Sequence, residues 1–265
     1  MSEKKPKFHD SQEPLSLRFD ELTSREAKTA AEDGTIVIFP VGSVEEHGSY
    51  LPLSADSLQP EFVALEVAKR TGCLVLPTLR YGVCPTTRNF PGTLSISFNS
   101  LYGIALDVLN ELVRNGFGKI IVLSGHAGDL HMAALRLAAQ NVVLRNEVAN
   151  AEGKLRIMVL SDYDFAYELR GRVVSEKDGH AGAIEASRIM AINPSLVKGT
   201  EKPSFTQVPR FEVLAHPEDY FPKGFVGDPG EASASKGREI NNYVIEQITK
   251  LVKELRGSRS PIKTK

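Results

Sequence analysis

The chain has no tryptophan and only two cysteines, Cys73 and Cys84, in 265 residues. Two thiols without a C-x-x-C spacing form no disulfide framework, so reduced cysteines in a cytoplasmic protein are expected. Cys84 falls in a loop and reads as an ordinary thiol rather than a nucleophile. There is no excess of either charge: 32 Lys and Arg face 33 Asp and Glu, for a net charge of −1. Such a balance gives no broad attraction for phosphate backbones and excludes nucleic acid as the main partner. No apolar run approaches the roughly 20 residues that span a bilayer. The first residues, MSEKKPKFHDSQEP, are charged and lead into no apolar segment, so no secretory signal is expected. What is present is 42% hydrophobic and 25% charged residues, enough apolar area to exclude overall disorder. The length suits one large domain or two small ones.

Strand and helix patterns alternate after a tail expected over residues 1–15. Thr35 to Val41 is a continuous, mostly β-branched run, as in a strand buried on both faces. Leu74 to Leu76, Lys119 to Ser124 and Leu155 to Leu160 repeat the pattern. Pro60 to Arg70 reads as a helix opened by its proline. Leu101 to Asn115 carries Leu101, Ile104, Ala105, Val108, Leu109 and Leu112 on one stripe, and Asn115-Gly116 stops it. Residues 130–145, a segment starting near Ala183 and Gly237 to Leu255 are further helices. Alternation of this kind predicts an α/β fold, three-layer α/β/α, with a mostly parallel central sheet. Residues 16–256 are expected as one domain, with a polar tail over 257–265. Residues 199–232 lack periodicity and read as a loop excursion near the site or an oligomer contact.

Histidines and acids gather in three windows: VGSVEEHGSYLPLSAD (41–56), SGHAGDLH (124–131) and DGHAGAIEAS (178–187). The first two begin where apolar strands end, the edge at which open α/β sheets bind ligands. Glu45 and His47 are two apart, so an extended loop points both side chains the same way. Asp56 returns after the turn at Leu51-Pro52, and His126 arrives from another strand. Oxygen and nitrogen donors without cysteine suit Zn²⁺, Mn²⁺ or Fe²⁺ in an open site. Several carboxylates can also bridge two ions about 3.5–4 Å apart, which together acidify one water. Taken singly, each histidine equally fits a structural hydrogen-bonded group, and Glu45-Glu46 a solvated turn. The coincidence of three windows is what points to metal.

The first window resembles the signature of the creatininase family (creatinine amidohydrolase and relatives): Gly42, Ser43, Glu45, His47, Gly48, Leu51, Pro52 and Asp56 stand at matching places. The resemblance continues through Phe90-Pro91-Gly92-Thr93, Ser124-Gly125-His126, and His180-Ala181-Gly182 with Glu185. Gly227-Asp228-Pro229, Ala234 and Lys236-Gly237 extend it toward the C-terminus. It implies two divalent metal ions (Zn, Mn or Fe), Glu45 and His126 on one, His47 on the other, and Asp56 bridging. A glutamate that serves creatinine amidohydrolase as fifth ligand, two residues after the second window's His, is Gly128 here. Many relatives with this spacing imply Glu185 as the ligand instead, with Asp129 and His131 as nearby substitutes. The resemblance makes His180 the proton carrier and places Asp178 beside it, to orient it or bind substrate. Ser124, Gly128 and Arg88 complete the expected substrate contacts.

Three departures bear on the substrate. The family's covering tryptophans are absent, the usual His before Leu-Pro is Tyr50, and the acid and His preceding Phe-Pro-Gly-Thr appear as Thr87 and Arg88. A cation at Arg88 would favour a carboxylate or phosphate on the substrate. The resemblance thus implies a metal-dependent hydrolase of a non-peptide, amide-type C–N bond in a small molecule, a cyclic amide or a formamide. An archaeal-type formamide deformylase of flavin or deazaflavin biosynthesis and a non-catalytic metal- or metabolite-binding relative are the alternatives. The family's habit implies a homo-oligomer, a hexamer or another ring.

Overall fold

The computed structural model describes residues 16–206, 209 and 211–257. The tails expected at the two ends lie outside these residues, apart from Gly257. Strands β1 (Val37–Val41), β2 (Leu74–Val75), β3 (Lys119–Ser124) and β4 (Arg156–Ser161) form one parallel sheet in the order β2-β1-β3-β4. Helices α1 (Ser24–Glu32), α2 (Ala55–Thr71), α3 (Phe98–Arg114), α4 (Asp129–Arg145), α5 (Glu147–Ala151), α6 (Tyr163–Ala166), α7 (Ala183–Ile192) and α8 (Ala234–Arg256) surround it. The three-layer expectation holds.

The strands alternate their side chains between two cores. Ile38, Ile121, Leu123 and Leu160 pack against α2, α7 and α8. Val37, Phe39, Val41, Ile120 and Val122 pack against α3 and α4. Both faces are covered, which is why the strands read as unbroken apolar runs rather than alternating ones. Helix α3 starts where Ser97 accepts the Ser100 N–H, and it buries Leu101, Ala105, Leu109 and Leu112.

The direction of strand addition reverses between β1 and β3. Their carboxyl ends, Val41 and Ser124, are register partners. A crevice opens at such a reversal, and this position defines where a ligand enters. Helix α2 begins in that crevice. Its start corrects the expectation that Pro60 opens the helix: α2 begins at Ala55, and Pro60 lies inside it. Pro60 has no N–H to offer the Asp56 carbonyl. That carbonyl is instead seated between the two strand ends: a Cβ on Gly42 would lie 2.4 Å from Asp56 O, and one on Gly125 would lie 2.2 Å from it. Glycine after each strand therefore lets the first turn of α2, with Asp56, drop into the crevice.

Candidate metal centre

Window one leaves β1 at Gly42 and folds back so that the Glu45 N–H donates to the Leu53 carbonyl at 3.0 Å. Glu45, His47 and Asp56 are all buried. Asp56 is central. Its Oδ1 lies 3.1 Å from His47 Nε2, and its Oδ2 lies 3.0 Å from His126 Nδ1. Glu45 Oε2 lies 2.8 Å from the same His126 nitrogen. On the other side, Glu185 Oε2 lies 2.9 Å from His47 Nε2. Three carboxylates and two imidazoles thus converge, with one carboxylate shared between both halves.

The far nitrogen of each ring is fixed by a backbone carbonyl, which can only accept. His47 Nδ1 donates to Glu45 O at 3.0 Å, and His126 Nε2 donates to Val83 O at 3.1 Å. Each ring therefore directs its other nitrogen at the carboxylates, the tautomer a metal ligand needs. Ser43 Oγ donates to Asp56 Oδ2 at 2.6 Å, and Thr87 Oγ1 donates to Glu45 Oε1 at 2.5 Å. His180 completes the second half, with its ring 4.5 Å from that of His47. His180 Nε2 donates to Glu46 O at 3.0 Å. A ligand atom of His180, His47 and Glu185 fall within 4.8 Å of one another.

Electrostatics match this crowding. Burial disfavours charge on His47, but Asp56 and Glu185 outweigh it and hold its basicity well above the usual imidazole range. Burial likewise opposes the charge of His126, and Glu45 and Asp56 override it. Burial alone would raise Asp56; His47 and His126 instead hold it well below the ordinary aspartate value. A divalent cation would provide the same attraction without the protons.

The residues expected around the centre divide into two groups. Glu45, His47, Asp56, His126, His180 and Glu185 meet. Gly128 lines the cleft above them. Ser124 is buried beneath it, accepting the His126 N–H at 3.1 Å and donating to His126 O at 2.7 Å. Asp178 does not reach the cleft: it accepts the N–H groups of Ala183 and Ile184 at 2.6 and 3.1 Å and caps α7. Arg88 is exposed and lines a neighbouring groove with Leu94 and Phe98, so it is not placed to meet a substrate at the centre. Asp129 lines a separate groove beside Arg136 and Asp164. His131 is buried next to Ser124; burial pushes its pKa down to about 3, and it is a neutral structural imidazole.

Several contributors went unread in the sequence. The cleft holds about 330 Å³ and is walled by Tyr163, Tyr167 and Phe221. These rings supply its aromatic lining in a chain without tryptophan. Tyr50 Oη donates to the carbonyl of Ala181, which has φ +52°. A non-glycine residue there is strained, and it directly follows His180. The loop excursion returns to the same place: the Val226 N–H donates to His180 O at 2.8 Å. Of its two expected roles, the excursion near the site is the one the structure shows.

The family model for creatininase, creatinine amidohydrolase, matches residues 20–252. The chain belongs to the creatininase family. It is 28% identical over 256 residues to creatinine amidohydrolase of Pseudomonas putida, covering 90% of this chain and 97% of the relative. It is 28% identical over 247 residues to mycofactocin precursor peptide peptidase of Mycolicibacterium smegmatis, covering 86% and 89%. A crystal structure of creatinine amidohydrolase superimposes with a TM-score of 0.81 at 26% identity, over 92% of this chain and 99% of the other. A mutant creatininase of Zn-Zn type gives a TM-score of 0.80 at 25% identity, over 91% and 98%.

As a creatininase-family hydrolase, the chain carries a donor set that fits divalent ions on its own geometry. Glu185 Oε2 is buried, and the polar group facing it is His47 Nε2 at 2.9 Å, a nitrogen it shares with Asp56 Oδ1. The two oxygens of Asp56 face different imidazoles. Two buried carboxylates thus converge on one imidazole nitrogen, which carries at most one proton, and a cation between them would satisfy both.

Proposed function

We propose that this protein is a metal-dependent amidohydrolase that cleaves an amide-type C–N bond in a small substrate held in the aromatic cleft. The observation that carries the reading is the Asp56 carboxylate placed between His126 and His47, with Glu45 and Glu185 closing the two sides. Glu45, Asp56 and His126 would hold one divalent ion; Asp56, His47 and Glu185 would hold the other. Bound there, such ions supply Lewis acidity for a carbonyl and a water acidic enough to attack it near neutral pH.

The chain's own residues do the rest. Tyr163, Tyr167 and Phe221 exclude bulk water and orient the substrate. His180 lines the cleft, and the carbonyl of Glu46 fixes its Nε2 proton. Nδ1 is then the nitrogen that delivers a proton to the departing amine. Phe221 packs on the His180 ring at 5.8 Å and restrains it. A peptidase stands beside the amidohydrolase among the relatives, so the proposal extends to peptide as well as non-peptide bonds. The relatives, an amidohydrolase and a peptide peptidase, favour neither the deformylase nor the non-catalytic alternative. A homo-oligomer remains part of the proposal.

The test is a hydrolysis screen of the zinc- and manganese-loaded protein on creatinine, formamidopyrimidines, small lactams and short peptides. Turnover that disappears in Asp56→Asn and His180→Ala is expected. Fully loaded, folded protein that hydrolyses none of these classes contradicts the reading.

A further inference from the structure

Cys84 is buried behind the centre, in the connection between β2 and α3. Its sulfur, a carboxylate oxygen of Glu45 and a ring nitrogen of His126 all lie within 4.8 Å of one another. The backbone is held in place, since the Cys84 N–H donates to Ser95 Oγ at 2.9 Å. The same short segment already grips both neighbours. The Val83 carbonyl fixes the His126 ring, and Thr87 Oγ1 occupies the outer oxygen of Glu45. This leaves Glu45 Oε2 and His126 Nδ1 facing inward, with Asp56 Oδ2 3.0 Å from that nitrogen.

Three donors therefore gather there, a carboxylate oxygen of Glu45, a ring nitrogen of His126 and the Cys84 sulfur, and Asp56 Oδ2 adjoins them through its 3.0 Å contact with His126 Nδ1. The ligand atoms of one tetrahedral zinc lie about 3.4–3.6 Å apart, given bonds of about 2.0–2.3 Å. The 4.8 Å that bounds the Glu45, Cys84 and His126 atoms is wider than this, so coordination requires a side-chain rotation that draws them together. Cys84 is not among the residues lining the cleft, whereas Glu45, Asp56 and His126 are. A sulfur ligand would thus enter from the protein side and leave the cleft side open.

We propose that Cys84 is a fourth protein ligand, as a thiolate, at the metal position built by Glu45, Asp56 and His126. The inference rests on the metal reading above. It makes the two positions chemically unlike: His47, Asp56 and Glu185 offer only nitrogen and oxygen, while the first position adds a soft donor. The thiol proton leaves to solvent as the metal–sulfur bond forms, so no oxidant or reductant is required. Sulfur selects zinc, cobalt or iron over manganese, so the first position sorts metals.

Cobalt(II) is the probe. The full chain is loaded with Co²⁺, its metal content is measured, and its near-ultraviolet spectrum is recorded. An intense thiolate-to-cobalt charge-transfer band is expected, absent in Cys84→Ser and retained in Cys73→Ser. Zinc affinity falls about 10–100-fold in Cys84→Ser while manganese affinity holds. Bound cobalt without the band in the wild-type protein overturns the proposal and leaves the metal reading standing. No bound cobalt overturns both. The wild-type spectrum decides even if the variant fails to fold.

Discussion

At the residue scale, the centre works by fixing what each donor cannot do. Each imidazole donates its outer N–H to a backbone carbonyl, and Glu45 and Asp56 each accept a hydroxyl hydrogen bond, from Thr87 and Ser43. Outer partners of this kind are worth about 10–100-fold in metal affinity. Thr87→Val should therefore weaken zinc binding by that factor in calorimetric titration, with the far-ultraviolet spectrum unchanged. Asp178 gives a pH prediction. Burial lifts its pKa from 3.8 to about 6, against the opposing pull of two N–H bonds. Between those values the folded state holds a proton that the unfolded chain has lost, so stability falls as pH rises through the window. Asp178→Asn keeps an oxygen for the cap and removes that slope. Urea unfolding from about pH 4 to about pH 7 should show wild type losing stability relative to the variant; parallel curves would contradict it. The donors were legible because their types and spacings are set by chemistry. Arg88 was misread because spacing along a loop does not say which side faces the cleft. Cys84 looked ordinary because only the fold brings it to His126.

At the element scale, glycines and buried charge set the docking. Gly42 and Gly125 let α2 begin inside the crevice. The strands were visible as apolar runs because both faces are covered, but the start of α2 was hidden: a proline inside a helix reads locally as its beginning. Helix α1 escaped notice although Thr23 and Glu26 form a capping box, because it buries only Ala30 and shows little apolar stripe. Behind the centre, Arg188 of α7 lies 2.5 Å from Asp162 after β4, and its Nε donates to Asn241 of α8 at 2.8 Å. All three are buried. Removing one partner strands a charge, so Arg188→Leu should cost about 3–5 kcal/mol. Thermal unfolding should record a lowered Tm, and an unchanged Tm would show that the pair contributes nothing.

At the scale of the whole molecule, the strand order β2-β1-β3-β4 is the fact from which the centre follows. It brings the end of β1, with window one, beside the end of β3, with window two. Window three begins α7, and Glu185 in its first turn faces His47 across the crevice. Alternating strands and helices made the layers readable. The order of the strands was not readable, because each strand is apolar enough to pair with any other. Among the described residues, no helix is long and apolar enough to cross a membrane.

The central claim is that donors distant in sequence hold two divalent ions through one shared carboxylate. Crystals soaked in zinc or manganese, measured at the metal's absorption edge, test it directly. The account predicts two anomalous peaks, one among Glu45, Asp56 and His126, the other among Asp56, His47 and Glu185, about 3.5–4 Å apart. A single peak, or peaks that leave Asp56 uncoordinated, would contradict it.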